Sequence, residues 1–526
     1  MSLVAKPPCD EGAVLGAGAC TGFAPTARRW TLAAAILGSA MAFVDGSVVN
    51  VALPAIQREL DATAAEMQWV VEAYALFLSS LLLVGGALGD RLGRKAVFMA
   101  GVALFTAASL ACALAPTPLL LIAARGMQGV GAALLVPGSL SLIGAAYPKS
   151  ERGRAIGTWS ALSGVAAAAG PVLGGWLVEH ANWTWAFLIN LPLGVALWLL
   201  CAWRVPETRN EQASGRLDIR GATLVTVGLA GVVYAFIQAP ADGWLTGSVL
   251  ASLVAGVLAL GLFVATESRV AVPMVPLRLF ANSDFTGANL LTLLLYAALG
   301  GGLYYLPLNL IQVQGYGAAA AGAAMLPFIA IMFVLSRASG RVVDRLGAKL
   351  PLVVGPLIAA AGFALLMKPG IGGSYWWTFF PGIVTLGVGM AVTVAPLTTT
   401  VMNAVGADLA GVASGVNNAV ARAASLLAIA IFGIAMAQVF DSRLAALLQE
   451  LSLPPGVIDA IEQQRARLAG IALPPGIDTL QQQSVHRAIG GAFVAGFRQV
   501  MAVCAGLALL SALCAAWFIG RKRREQ

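Results

Sequence analysis

Four ionisable side chains stand inside long apolar runs of this 526-residue chain: Asp45, Glu72, Arg125 and Arg422. A charged side chain at the centre of a lipid bilayer costs about 2.5–3.5 kcal/mol on insertion scales, so each is a functional candidate. A carboxyl such as Asp45 can take up a proton on one side of a membrane and release it on the other. Burial favours its protonated form and a nearby cation favours its ionised form, so a change of surroundings switches its affinity for the proton. Arg125 keeps its proton at any accessible pH and can serve only as a fixed charge. Glu72 lies near the end of its run, where it could snorkel to water; facing a cavity, it would suit a cationic substrate or a second proton. Other chemistries lack raw material. The six cysteines (Cys9, Cys20, Cys112, Cys201, Cys504, Cys514) show no CxxC or CxxH spacing, and the two histidines, His180 and His486, fall in expected outer loops. No metal site, disulfide frame or membrane haem is expected. No GxxxxGK[ST] loop is present, so neither a nucleotide nor any other cofactor is expected.

The elements that must hold these residues follow from composition. Hydrophobic residues make up 59% of the chain and charged residues 11%, against about 25% charged in soluble domains. Lipid must therefore cover much of the surface, and inside lipid every backbone amide needs an internal partner. Apolar runs of roughly 20 residues select helices over barrel strands. They fall near 30–53, 68–88, 95–114, 118–146, 153–178, 184–204, 219–239, 245–265, 286–312, 319–338, 349–368, 376–397, 409–439 and 491–519. Fourteen spans place both termini on one side. Most of the 32 Lys and Arg residues then share that side, while the short loops opposite carry only Arg58 and Lys368. This asymmetry marks the basic side as cytoplasmic; the net charge of +8 reflects topology, with no nucleic-acid motif. Trp69, Trp183, Trp185, Trp244, Tyr375, Trp376 and Trp377 fall at outer span ends, as interfacial aromatics do.

The chain divides into a cytoplasmic tail (1–29), six spans (30–204), two further spans with flanking loops (205–283), six spans (284–519) and a basic tail (520–526). The last six-span unit includes a polar outer loop, 440–490, whose Leu/Ala/Ile spacing suggests short amphipathic helices forming a lid. A repeat relates the two six-span units. Gly86-Ala-Leu-Gly-Asp90-Arg91-Leu-Gly93-Arg94-Lys95 returns 254 residues later as Gly340-Arg-Val-Val-Asp344-Arg345-Leu-Gly347-Ala-Lys349. Duplicated halves are the trace of transporter folds that rock around a central site.

Beyond residue 29 the chain resembles the major facilitator superfamily, specifically its fourteen-span drug:proton antiporter branch. Four motifs carry the resemblance by their order and spacing: Phe43-Val-Asp45-Gly-Ser-Val-Val-Asn50-Val-Ala-Leu-Pro54 in span one, the Gly86–Lys95 loop, Arg125-Gly-Met-Gln128-Gly129-Val-Gly131 in span four, and Gly164 through Gly170-Pro171-Val-Leu-Gly174-Gly175 in span five. The resemblance implies an all-α fold of two six-helix halves plus two extra central helices. It implies a part for Arg125 in proton transfer, and closure of the cytoplasmic gate by Asp90, Arg91 and Arg94, with Asp344 and Arg345 as the weaker copy. It associates the span-five motif with antiport and implies that Arg422 recurs in span thirteen, bonding across helices. In the residues themselves, Gly86 and Gly93 permit a tight turn, Gly170 and Gly174 beside Pro171 permit close helix packing, and Tyr304, Tyr305, Asn309, Gln312, Asn417 and Asn418 offer polar or aromatic groups to a substrate path. The expectation is a monomeric proton-coupled antiporter of the cytoplasmic membrane, exporting lipophilic small molecules and energised by the proton gradient. A dedicated exporter of one metabolite or antibiotic is the alternative; a remote one is an antiporter-like subunit of a proton-pumping redox complex, which would need buried lysines that the spans lack. No catalytic constellation is present, and enzymatic activity is not expected.

Overall fold

The computed structural model describes residues 23–209, 218–270, 273–335, 347–405, 409–451, 453–473 and 478–520. Among them there are helices and no strands. We number the long helices α1 (Pro25–Glu59), α2 (Ala64–Leu92), α3 (Arg94–Ala113), α4 (Pro118–Ala146), α5 (Lys149–His180), α6 (Trp185–Arg204), α7 (Ile219–Asp242), α8 (Gly247–Glu267), α9 (Ser283–Leu308), α10 (Ala318–Leu335), α11 (Lys349–Leu365), α12 (Phe380–Asn403), α13 (Ala410–Gln449) and α14 (Thr479–Phe518). Thirteen are long and apolar enough to cross a membrane. The other, α11, has 17 residues, at the lower limit for a bilayer crossing.

Local signals place several ends. Thr63 and Glu66 form a capping box at the start of α2: the Thr63 hydroxyl accepts from the Glu66 amide at 3.2 Å, and the Glu66 carboxylate accepts from the Thr63 amide at 2.8 Å. Asp478 caps α14 by accepting from the Gln481 amide at 2.7 Å. Between α2 and α3 the chain turns at Gly93, whose φ of +114° favours glycine. Gly347, its counterpart in the repeat, has φ +73° ahead of α11, so the duplication is visible in the backbone. A Cβ on Gly93 would also lie 2.8 Å from the Glu207 carboxyl carbon. Gly93→Ala is expected to cost about 1–3 kcal/mol, read as a lower unfolding temperature of the detergent-purified protein. Gly157→Ala, where a Cβ meets nothing within 4 Å, should change little.

Several expected ends move. Helix α1 begins at Pro25 rather than 30, and the expected outer loop 440–490 shrinks because α13 continues to Gln449 and α14 starts at Thr479. Between them lie a short helix, Pro455–Glu462, and a 3₁₀ turn, Arg465–Gly470. His180 ends α5 and His486 lies within α14, so neither histidine is in a loop. Hydropathy marks where a helix can meet lipid; Ala, Leu, Arg and Gln carry it on into water until a breaker intervenes. Trp183 lies in the turn between α5 and α6 at the expected outer end, but it is buried, its ring edge-on to Phe187 at 6.1 Å, so it packs on protein and does not face lipid headgroups.

Packing follows the repeat. Helix α1 packs on α5 and α6, and α3 on α4 and α6; the same pairs recur as α9 on α13 and α14, and α11 on α12 and α14. The two six-helix groups meet along two seams, α5 against α10 and α2 against α13. The α7–α8 hairpin stands outside the repeat, with α7 touching both α2 and α13, so it backs the second seam. Helix α8 packs chiefly on α7 and leaves Leu258 and Leu262 exposed, an apolar face suited to lipid.

Candidate functional site

A central cavity of about 270 Å³ lies between the halves, lined by α1, α2, α4 and α5 from one and by α9, α10 and α13 from the other. Behind its wall is a buried polar knot built from five helices. Asp45 on α1 is fully buried. Its Oδ2 accepts from Arg125 Nη1 at 2.6 Å, and its Oδ1 accepts from Gln128 Nε2 at 2.7 Å and Asn190 Nδ2 at 3.0 Å. Arg125 also donates from Nε to the Val70 carbonyl at 2.9 Å and from Nη1 to Gln128 Oε1 at 2.6 Å. Its guanidinium lies 4.4 Å from the centre of the Tyr74 ring, a cation–π distance. Ser109 on α3 closes the knot by accepting from Gln128 at 2.9 Å and Asn190 at 3.3 Å. Gln128, Asn190 and Ser109 were not singled out as site residues by sequence. The signal was a polar group inside an apolar span, weaker for an amide or hydroxyl than for a charge.

The helices converge there because glycines let them. A Cβ on Gly129 would sit 2.5 Å from the Tyr74 carbonyl oxygen of α2, and one on Gly131 2.7 Å from the Phe105 amide nitrogen of α3. Both belong to the span-four motif, so its glycines draw α2 and α3 onto α4 and hold Arg125 between them. Arg125 lines the cavity while Asp45 stands one layer behind.

Glu72 does not snorkel. It is fully buried, and neither carboxylate oxygen has a hydrogen-bond partner. Its neighbours Val71 and Tyr74 line the cavity; Glu72 does not. The structure therefore does not join Glu72 to the Asp45–Arg125 pair.

Of the six residues suggested for a substrate path, Tyr304 lines the central cavity. The other five do not. Tyr305 accepts from Gln68 Nε2 at 2.9 Å, and Gln312 donates to Gln57 at 2.8 Å, each joining the two halves. Asn309 accepts from Gln314 at 3.0 Å. Asn417 donates to Asn289 at 3.1 Å and Thr292 at 2.8 Å within the second half, and Asn418 is buried. On α9, Tyr304 faces the cavity while the neighbouring Tyr305 turns to Gln68 of α2. Arg422 on α13 lines it, as do Ser47, Tyr74, Tyr296 and Phe328.

In the loop between α2 and α3, Asp90 pairs with Arg94 at 2.7 Å, while Arg91 is exposed. Gly86 faces Pro137 of α4. Glu207, which the sequence reading passed over, accepts from the amides of Lys95 and Ala96 at 2.9 Å each and so caps α3. Asp344 and Arg345 lie outside the described residues.

The span-five motif forms two close contacts on opposite sides of α5. Gly174 abuts Val48 of α1, where a Cβ would lie 2.7 Å from Cγ1, and Gly170 faces Ser47; Gly164 is buried on the same helix. Gly175 lies against the Ala318 carbonyl and the Pro171 carbonyl against Gly322, which seals α5 to α10 at the expected outer end. There Glu179 also accepts from the Ala319 amide at 3.0 Å. The loop between α13 and α14 reaches the same end: Arg467 pairs with Asp61 at 2.7 Å, and its carbonyl accepts from Gln57 at 3.1 Å.

Comparison with known proteins agrees with this geometry. The Major Facilitator Superfamily profile matches residues 35–429. The tetracenomycin C resistance and export protein of Streptomyces glaucescens is 32% identical over 500 residues, covering 93% of this chain and 91% of that protein. The multidrug resistance protein Stp of Mycobacterium tuberculosis is 36% identical over 420 residues, covering 80% and 78%. In fold, the chain is similar to a bacterial homologue of the human lysosomal transporter Spinster, crystallised inward-facing and unoccupied, with a TM-score of 0.66 and 17% identity over 94% of this chain and 97% of that one. Two six-helix halves around a central cavity, the sequence relatives and the family profile agree: this chain is a transporter, not an enzyme, and belongs to the drug-efflux branch of the Major Facilitator Superfamily.

Proposed function

We propose that the protein is a proton-coupled antiporter that exports lipophilic or amphipathic small molecules across the cytoplasmic membrane by alternating access, with both termini in the cytoplasm. The observation that carries this reading is the buried Asp45–Arg125 pair at the wall of the central cavity. A carboxylate held by a fixed cation is ionised; separated from that cation by a rotation of α1 or α4, it is a carboxyl in a dry site and takes a proton. In the paired state Gln128 and Asn190 orient Asp45. Glu72, buried without a hydrogen-bond partner, is the second candidate for a proton. The contacts of α5 with α10, and of the α13–α14 loop with the α1–α2 turn, close the expected outer end, so this conformation fits loading from the cytoplasm. The Asp90–Arg94 loop, with Asp344 and Arg345 as its second copy, would act as the opposing gate.

The relatives' names favour export of antibiotics, and several of them, such as the tetracenomycin C protein, are named for one compound. That observation keeps a dedicated exporter open as the second reading. The test is transport in proteoliposomes with an imposed pH gradient and no nucleotide. Solute movement opposite to the imposed proton gradient, which stops with a protonophore and is accompanied by proton flow the other way, is expected. Solute movement indifferent to the protonophore would refute proton coupling. A panel of unrelated compounds then separates broad export from protection against one chemical class.

A further inference from the structure

Two carboxyls meet at the end of the α7–α8 hairpin that is expected to face the cytoplasm. Asp218 stands immediately before α7, and Glu267 is the last residue of α8. Each is anchored through one oxygen. Asp218 Oδ1 accepts from the Gly221 amide at 2.8 Å, and Glu267 Oε2 accepts from the Val275 amide of the α8–α9 linker at 2.8 Å. The other two oxygens, Asp218 Oδ2 and Glu267 Oε1, are buried and receive no hydrogen bond. Both lie beside Gly221, where a Cβ would be 2.5 Å from the first and 2.8 Å from the second. The two carboxyls are within hydrogen-bonding reach of each other, and Glu267 is 2% exposed. Among the described residues the charged neighbour that acts on Glu267 is Asp218, and no lysine or arginine pairs with either acid. Arg220, Arg269 and Arg278 are exposed. Glu267 is the sole ionisable residue of α8; on α7, Tyr234 packs on Trp69 of α2 and Asp242 lies at the opposite end. Behind α7, at the same end of α2, Asp90 pairs with Arg94 and Arg91 is exposed.

From this arrangement we infer that Asp218 and Glu267 form a proton-binding site outside the transport path, in which one proton shared between Oδ2 and Oε1 clamps the end of the hairpin. Two ionised carboxylates in contact repel, and neither has a donor to offer the other. A single proton makes one carboxyl the donor and the other its acceptor, and so satisfies both free oxygens. Among the described residues no third acid, histidine or cysteine joins the pair, so a divalent cation would lack most of the ligands it needs. The clamp spans three elements: the start of α7, the end of α8 and, through Val275, the linker that leads into the second half. Loss of the proton leaves two adjacent anions, so the clamp holds in acid and opens in alkali. Because α7 backs the α2–α13 seam, the support of that seam then answers to pH on this side of the membrane. Neither carboxyl lines the central cavity, and the site acts separately from Asp45.

The test is hydrogen exchange, read by mass spectrometry on the purified full-length chain in lipid nanodiscs, with rates corrected for the intrinsic effect of pH. Protection of the peptides holding the Gly221 and Val275 amides is expected to fall about fivefold or more between about pH 6 and about pH 8.5. Glu267→Gln and Asp218→Asn each keep a bond between the side chains without a shared proton, so both should keep the protection at either pH. Glu267→Ala should lose it at either pH. Wild-type protection that does not change with pH overturns the inference. So does a pH-dependent loss that survives in a folded Glu267→Gln or Asp218→Asn protein; if one of these does not fold, the other decides. Protection restored at high pH by magnesium or calcium would assign the site to a metal ion and overturn the shared proton as well. The measurement needs no substrate and no gradient, so its outcome and that of the proteoliposome test of proton coupling are independent.

Discussion

Asp45→Asn is expected to abolish uphill transport while leaving gradient-free exchange of substrate across the membrane. Asparagine keeps the size of the side chain and can still bond Gln128 and Asn190, which now hold Asp45 at 2.7 Å and 3.0 Å. It cannot gain or lose a proton, so the cycle has nothing to couple. Exchange of labelled for unlabelled substrate needs only alternating access, and it should persist. The substitution also strands Arg125, fully buried and 2.6 Å from the lost carboxylate. Removing one partner of a buried ion pair costs about 3–5 kcal/mol, enough to unfold a marginal protein. The companion variant, Asp45→Asn with Arg125→Gln, removes both charges and should regain most of that stability while remaining uncoupled. Proteoliposomes measure both quantities: accumulation against a gradient, and exchange at equal concentrations. Uphill accumulation that survives in Asp45→Asn would move the coupling proton to Glu72.

The second large effect is expected at the α5–α10 seam. Gly175 has its Cα against the Ala318 carbonyl, and the backbone around Pro171 abuts Gly322 in the same way. These contacts are backbone to backbone, so an added side chain cannot be met by a rotamer change. Gly175→Leu should hold the expected outer end open. Overpacking of this kind costs about 1–3 kcal/mol, and a bias of that size between two conformations shifts their ratio by about 5- to 150-fold. The reporter is Ala321→Cys, at a position fully buried on α10 beside the seam, labelled from outside with a membrane-impermeant maleimide. Faster labelling in the Gly175→Leu background, together with reduced turnover, is expected. Labelling at the wild-type rate would mean that this seam does not open during transport.

The helices and their number were legible because lipid permits so few alternatives. A run of 20 apolar residues must be a helix, and basic residues bias its orientation, so the order of elements follows from composition. The repeat was legible for a similar reason: Gly93 and Gly347 recur where the chain must take a positive φ that other residues resist. Asp45 and Arg125 stood out because a charge in an apolar run is rare, but their pairing came only from the structure. Tertiary structure decided which way each helix turns about its own axis. A helix apolar on every face carries little local information about its rotation; packing sets it, through contacts such as Gly129 against Tyr74 and Gly131 against Phe105. That rotation put Asp45 behind the cavity wall and Arg125 in it, buried Glu72 without a partner, and sent Tyr304 to the cavity but Tyr305 to Gln68. It also turned Arg422 towards the cavity. Sequence thus determined the elements and the charges they carry, while packing between distant segments decided which charges meet and which face the substrate.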